Sequence, residues 1–336
     1  MSEAKKRRLV ITGGLGFIGN AVIAELLKRN DLPYDIEVFD NYSVGSSSNL
    51  ATTLNSSEEK IDSDLTIVGP VKIFRGDLRD YDRVAEVISD ADTVVHLAAQ
   101  TGVPGSLEDP RKDLETNVAG TFNILEALRK ADKKSRIVFS SSNAPLGFAK
   151  QPVDELTFPD PISPYGASKL TCENYLKVYA RCYGLDAVAL RFGNVYGPGS
   201  FLKSSVVAKF IKQALDGETL EIYGDGSATR DFIFIDDLVA AILASIDVEL
   251  ENFELFQIST GKETEVGHLT EILCDCFEEQ GLKRPTVKFG AVRQGDMQRN
   301  FSNVAKAKDN LGWSAQMDIK KGVARTLQYF LNLNAK

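Results

Sequence analysis

The chain has 336 residues, 43% hydrophobic and 26% charged, with a formal net charge of −8. That balance fits a globular protein of one large or two closely joined domains, and its acidic excess argues against a general affinity for nucleic acid or anionic membrane. No run approaches the roughly 18 apolar residues of a membrane span, and no apolar leader follows the first residues, so a cytoplasmic protein is expected. The basic run Lys5 to Arg8 reads as a solvated flank before the first strand.

Arg8 to Thr12 reads as a short buried strand, Gly13 to Gly19 as a turn, Asn20 to Lys28 as a helix and Ile36 to Asp40 as a second strand. This is a βαβ unit. The polar stretch Asn41 to Ser63 reads as a surface excursion. Alternation resumes with strand Val71 to Arg75, helix Tyr81 to Ser89, strand Thr93 to Ala98, helix Asp113 to Ala131 and strand Arg136 to Ser140. The pattern predicts an α/β, doubly wound parallel sheet of Rossmann type. Beyond Val188 to Arg191 it loosens, with helices near Ser204 to Leu215, Val266 to Glu279 and Lys321 to Leu331. A smaller C-terminal α/β domain is expected there. Residues 1–192, rejoined by about 231–258, would form the nucleotide domain, and 193–230 with 259–336 the smaller one.

Gly13-Gly-Leu-Gly16-Phe-Ile-Gly19 lies between the first strand and the first helix. Gly13 permits the tight turn, Gly16 lets backbone approach a pyrophosphate at the helix N-terminus, and Gly19 allows close packing. Asp40 ends the second strand 21 residues after Gly19, about where a carboxylate holds the adenosine ribose hydroxyls. A carboxylate there would repel a 2′-phosphate, and no Arg or Lys lies between Asp40 and Asn49 to receive one, which favours NAD over NADP. Asp77, after the third strand, either reaches the adenine amino group or caps the helix that follows.

In Tyr165-Gly-Ala-Ser-Lys169, helical spacing sets a phenol and an ammonium on one face. A neighbouring cation would lower the phenol's pKa from about 10 toward that of a working base. The same spacing occurs on ordinary helices, so the pair takes its meaning from the dinucleotide motif. The four cysteines, Cys172, Cys182, Cys274 and Cys276, lack zinc or disulfide spacing and read as reduced packing residues. His96 and His268 stand apart from other ligand types, so neither a metal site nor a Ser-His triad is expected.

Taken together, these motifs, with Gly76-Asp77-Leu78, His96-Leu97-Ala98-Ala99, Asn117, Ser140 to Ser142, Arg191-Phe-Gly-Asn194, Arg230-Asp231 and Arg293-Gln-Gly-Asp296, resemble the extended short-chain dehydrogenase/reductase family. Within it, the chain is most similar to the NAD-dependent nucleotide-sugar epimerases and dehydratases, the UDP-glucose and UDP-N-acetylglucosamine 4-epimerases in particular. The resemblance covers nearly the whole chain. It implies an NAD held by Gly13, Gly16, Phe17, Ile18, Gly19, Asp40, Asn41, Asp77, Leu78, Leu97, Ala98, Ala99, Asn117, Ser140, Tyr165 and Lys169. It implies a nucleoside-diphosphate sugar, UDP-hexose favoured, held by Ser142, Asn143, Tyr165, Asn194, Arg230, Arg293, Asp296 and Asn300, and a homodimer formed by the Asp113 to Ala131 helix and the one bearing Tyr165.

By that resemblance Tyr165 takes a proton from a sugar hydroxyl, Ser142 orients that hydroxyl and Lys169 holds the nicotinamide ribose. Relatives that eliminate water or a carboxyl group place an acid just after the Ser142 position. Asn143-Ala144 stands here, and neither residue ionises, which favours 4-epimerisation. Pro145-Leu146 stands where the family's epimerases usually carry Val-Tyr, which alters the pocket wall beside Ser142 and leaves the sugar's identity open. Asn300, at a position whose bulk is linked to admitting N-acetylated sugars, is of medium size and leaves hexoses and their N-acetyl forms both open. Lys203 would either meet a uronate carboxylate or, as favoured, point to solvent.

Overall fold

The computed structural model describes residues 6–131, 133–249, 252–292 and 297–334. Arg293 and Asp296 therefore lie outside the described residues. In chain order the strands and helices are β1 (Arg7–Thr12), α1 (Phe17–Leu26), β2 (Tyr34–Asp40), α2 (Ser47–Leu54), β3 (Glu58–Lys60), β4 (Leu65–Val68), β5 (Val71–Arg75), α3 (Tyr81–Ile88) and β6 (Thr93–His96). There follow α4 (Val103–Glu108), α5 (Pro110–Asp113), a π-helical turn (Leu114–Ala119), α6 (Gly120–Lys130), β7 (Arg136–Ser142), α7 (Pro164–Tyr183) and β8 (Asp186–Phe192). Then come β9 (Asn194–Tyr196), α8 (Val206–Leu215), β10 (Leu220–Tyr223), β11 (Thr229–Arg230), β12 (Phe232–Phe234), α9 (Ile235–Asp247) and β13 (Phe253–Ile258). β14 (Thr264–Glu265), α10 (Val266–Glu279), β15 (Val287–Gly290), α11 (Ala305–Leu311) and α12 (Ile319–Asn334) complete the chain.

The chain divides into two compact units, the first comprising Met1–Phe148, Phe158–Arg191 and Ile242–Phe256. Its centre is a nine-stranded sheet in the order β13-β8-β7-β6-β1-β2-β5-β4-β3. β7, β6, β1, β2 and β5 run parallel because each apolar strand is buried and each connection carries a helix back across a face. From β1 the chain first winds one way to β2 and β5, then returns to β6 on the other side. The carboxyl ends of β1 and β6 therefore flank a topological switch point, where Thr12 pairs with His96.

The edge differs from the expected all-parallel sheet. β4 pairs antiparallel with both β3 and β5, and the stretch read as a surface excursion contains α2 and β3. Its polarity misled because α2 buries only Ser47 and Leu50, while Ser46 caps it by accepting from the Asn49 amide. The helix expected from Asp113 begins earlier, at Pro110, and is interrupted by the π turn. That turn carries Asn117, whose side chain bonds the Gln100 backbone instead of facing water.

Helix α7 has clear start and stop signals. The Ser163 hydroxyl accepts from the Gly166 amide at 3.1 Å, Pro164 occupies the first turn, and Gly184 ends the helix at φ +71°, where a Cβ would be strained.

The second unit comprises Ala149–Thr157, Phe192–Ala241 and Gln257–Lys336. It holds three two-stranded pairings: β9 parallel to β12, β10 parallel to β15, and β11 antiparallel to β14. Two boundaries differ from expectation. Residues 149–157 join this unit because Val153 bonds the backbone of Phe301 and Asn303, and the segment from 231 to 241 stays with it because β12 pairs with β9. No helix among the described residues is long and apolar enough to cross a membrane.

Replacing Ser163 by Ala should cost about 1 kcal/mol by removing the cap of α7. A lowered urea midpoint with unchanged native circular dichroism is the expected reading.

Candidate active site

The glycine turn follows β1 and is fixed from two directions. Gly13 has φ +69°, and a Cβ there would lie 2.7 Å from the Ala98 amide nitrogen, so β1 and the loop after β6 approach through this position. A Cβ on Gly19 would fall 2.5 Å from the Gly14 Cα, which keeps α1 close to the turn. Gly16 differs: its nearest neighbour is the Gly13 carbonyl at 3.2 Å, and it begins α1 without a capping side chain. Uncapped first-turn amides of Phe17 and Ile18 beside an open glycine suit a pyrophosphate.

Asp40 ends β2, buried at 8% exposure. Its carboxylate accepts from the Leu15 amide at 3.1 Å and the Tyr42 amide at 2.8 Å, so it also ties the glycine turn to the adjoining loop. Burial raises its pKa, opposed by those two amides. Asp77 is not the cap of α3; Asp80 is, accepting from the Arg83 amide. Asp77 instead takes a two-point ion pair from Arg79, at 2.9 Å for each bond, and a weaker bond from Asn41 at 3.3 Å. The Arg79 bonds pull its carboxyl down to about 2. Leu78 packs under Gly120, where a Cβ would lie 2.7 Å from the leucine Cβ.

Beyond β6, Leu97 bonds the Thr12 carbonyl, and the Ala98 amide donates to the Thr12 hydroxyl; Ala99 follows, half-buried. His96 is buried with both ring nitrogens bonded, Nδ1 to Thr12 at 2.7 Å and Nε2 to Thr121 at 3.0 Å. The Thr121 hydroxyl gives its proton to the Asn117 carbonyl, so Nε2 must carry hydrogen and Nδ1 must accept from Thr12. Desolvation first, then the nearby Lys169 charge, push His96 down to about 3, leaving it neutral. Asn117 closes the network: its amide donates to the Gln100 carbonyl, to Asp113 at 2.8 Å and to Ser168 at 3.2 Å.

Tyr165 and Lys169 lie one turn apart near the start of α7. Lys169 is 2% exposed, with Nζ donating to the Ser140 carbonyl at 2.7 Å, 4.6 Å from the Phe139 ring centre and 5.9 Å from that of Tyr165. Tyr165 is hydrogen-bonded to Ser142. The expected lowering of the phenol pKa by Lys169 is not what the protein alone provides. Burial pushes Tyr165 up to about 12, the Ser142 bond opposing it, while burial brings Lys169 down to about 8. The reason is burial of the phenol, which outweighs the Ser142 bond, with Asp113 acting in the same direction as burial.

Asn143 is buried directly after Ser142, and Ala144 to Leu146 form a 3-10 turn whose Leu146 is 1% exposed. Leu146 thus packs inside the fold. In the second unit, Asn194 begins β9, its amide donating to the Asp231 carbonyl at 2.8 Å. Arg230 lies on β11 and donates to the Thr229 and Met297 carbonyls, and half-buried Asn300 precedes Phe301. The buried Asp231 carboxylate accepts from the Thr260 and Gly261 amides at 2.8 and 3.0 Å, anchoring the strand that carries Arg230. Lys203 departs from its expected solvent position: it is half-buried, and burial lowers its pKa.

Of the cysteines, Cys182 is exposed and the others are buried; all four are free. Cys172 lies beside the site, donating to the Asn117 carbonyl, with its thiol pushed by burial up to about 11. No group of three or more His, Cys, Asp or Glu side chains among the described residues could hold a metal ion. Sequence reasoning missed Thr12, Asp113, Thr121 and Glu173, which meet His96, Ser168, His96 and Arg191 on other elements, and only the acidic residues could have signalled them.

The glycine turn with Asp40, together with the Ser142, Tyr165 and Lys169 cluster, fits an NAD-dependent enzyme. Residues 9–258 match the NAD dependent epimerase/dehydratase family, and the chain belongs to it. Over 97% of its length it is 31% identical to a UDP-glucose 4-epimerase of Mycolicibacterium smegmatis, covering 99% of that protein. It is also similar to the crystal structure of Thermotoga maritima UDP-glucose 4-epimerase with UDP-glucose, with TM-score 0.84, 32% identity and 97% and 99% of the two chains covered. A third likeness is to the UDP-glucuronic acid 4-epimerase of Bacillus cereus with UDP-glucuronic acid and NAD, with TM-score 0.84, 26% identity and the same coverage.

Lysine is charged below its pKa, so with Lys169 near 8 its ammonium is lost as pH rises through that value, well before the roughly 10.4 of a free lysine. Turnover should therefore show a falling alkaline limb near pH 8, and Lys169→Arg should remove that limb while lowering activity. A limb only above pH 10 would contradict the assignment.

Proposed function

We propose that the protein is an NAD-dependent nucleotide-sugar 4-epimerase acting on a UDP-hexose, UDP-glucose and UDP-galactose or their N-acetyl forms. The observation that carries this reading is the Ser142, Tyr165, Lys169 cluster followed directly by the non-ionisable Asn143-Ala144. Bound NAD supplies a reversible hydride acceptor for the carbon bearing the reacting hydroxyl. Ser142 orients that hydroxyl, Tyr165 receives its proton at the phenolic oxygen, and Lys169 holds the nicotinamide ribose. Buried, neutral His96 adds no second charge beside the ammonium. With no acid beyond Ser142 to expel water or direct loss of a carboxyl group, the proton and hydride return to the opposite face.

Asn194, Arg230 and Asn300, with Arg293 and Asp296, are assigned to the nucleotide sugar, because an Arg fork suits diphosphate oxygens. One observation favours a second substrate: half-buried Lys203 would suit the carboxylate of a UDP-uronate. A dehydratase, decarboxylase or ketosugar reductase would need an acid or consumed NADPH that the residues after Ser142 and Asp40 do not suit. A non-catalytic nucleotide sensor would have no use for Tyr165.

The purified protein should carry NAD and interconvert the gluco and galacto epimers of a UDP-sugar without added cofactor, read by NMR. Tyr165→Ala should abolish this exchange while NAD stays bound. Release of water or carbon dioxide, with no epimer exchange on any UDP-hexose, would sink the proposal.

A homodimer is proposed across the outer faces of α6 and α7, where Phe122, Tyr175, Val178 and Tyr183 are 39 to 57% exposed and Phe122 meets Tyr175 edge-on at 5.6 Å. Light scattering should give twice the chain mass for the native protein and a monomer for the double variant Phe122→Lys, Val178→Glu. A native monomer would contradict it.

A further inference from the structure

The end of β7 presents several groups to Lys169 and Tyr165. The Phe139 ring lies near the Lys169 ammonium, the Ser140 carbonyl accepts from it, and the Ser142 hydroxyl meets Tyr165. Strand alternation puts the side chain of Ser141 on the same face as Phe139, toward α7, and those of Ser140 and Ser142 on the other. The Ser141 hydroxyl donates to Glu173 Oε1 at 2.5 Å. Glu173 lies four residues beyond Lys169 on α7 and faces Arg191 on β8 in a two-point pair, Nε to Oε1 at 2.9 Å and Nη2 to Oε2 at 2.7 Å. Ser141, Glu173 and Arg191 are 2, 4 and 2% exposed.

An ion pair that served stability alone would need only its two charged members. Here a third, charge-assisted bond runs to the one β7 residue flanked on both sides by groups that touch Tyr165 or Lys169. It joins β7 to α7 one helical turn beyond Lys169, on the strand face that Phe139 shares. We propose that Ser141, held by the Glu173–Arg191 pair, is a positioning residue that keeps the Ser140 carbonyl and Ser142 hydroxyl in register with Lys169 and Tyr165. The inference rests on the epimerase reading for its consequence in turnover, though not for its effect on the phenol.

The proposal is tested with Ser141→Ala, which deletes the tie and leaves the buried ion pair, and with Ser141→Thr, which restores a hydroxyl. Around the phenol, Asp113, Lys169 and Cys172 are unchanged by either substitution. Displacement of a reacting group by about 1 Å costs on the order of a hundredfold, so a partial slip in Ser141→Ala should lower kcat at least about tenfold with KM unchanged, and Ser141→Thr should recover most of it. In the NAD-loaded protein, the tyrosinate absorbance that disappears in Tyr165→Phe should titrate at higher pH in Ser141→Ala, because the Ser142 bond that favours the phenolate is weakened. Should Ser141→Ala not fold, Ser141→Cys, close in volume and a weaker donor, should show the same upward shift. A phenol titration unchanged from native in the folded variant would overturn the inference. If no UDP-sugar is turned over by the native protein, the epimerase reading fails, and the titration still decides the inference.

Discussion

An ammonium buried at 2% exposure is costly unless its donors are met, and Lys169 meets them at the Ser140 carbonyl and beside the Phe139 ring. Much of the first unit is arranged around that requirement. The strand end supplies the acceptor, α7 supplies the lysine one turn after Tyr165, and His96 is kept neutral by burial and by the Lys169 charge. Asp113 contributes the compensating negative charge, acting on Lys169 and Tyr165 alike. The protein alone thus holds a protonated phenol and a lysine close to losing its proton. In the proposed reaction a bound cofactor's positive charge would act on both, which would make NAD part of the acid-base device as well as the hydride acceptor.

The glycine turn, Asp40 and the Tyr165–Lys169 pair were legible in sequence because each depends on spacing along one element or one βαβ unit. The same locality explains what was misread. Asp77 sits at a plausible capping position, yet Asp80 caps α3 and Asp77 is engaged by Arg79. The π turn at Asn117 cannot be read from a 3.6-residue period, because it exists to turn one side chain toward the backbone of Gln100. The link from Ser141 through Glu173 to Arg191 joins three elements spread over fifty residues, and no local pattern marks it.

In the second unit the unread features are again long-range. Residues 149–157 lie early in the chain but pair beside Phe301 and Asn303, and Asp231 holds the loop at Thr260 and Gly261. Arg230-Asp231 was read as a motif, while the bonds by which the Asp231 carboxylate anchors the strand were not. Lys203 shows the limit of composition: a lysine in a polar stretch reads as solvated, and the fold withdraws it from water.

The proposed chemistry turns on a hydride that leaves one carbon and comes back to it. Incubating the protein with a UDP-hexose deuterated at the fourth sugar carbon, in ordinary water, tests this most directly. The account predicts that the epimer formed keeps its deuterium at that carbon. Loss of the label to solvent, or its appearance at a neighbouring carbon with release of water, would contradict it.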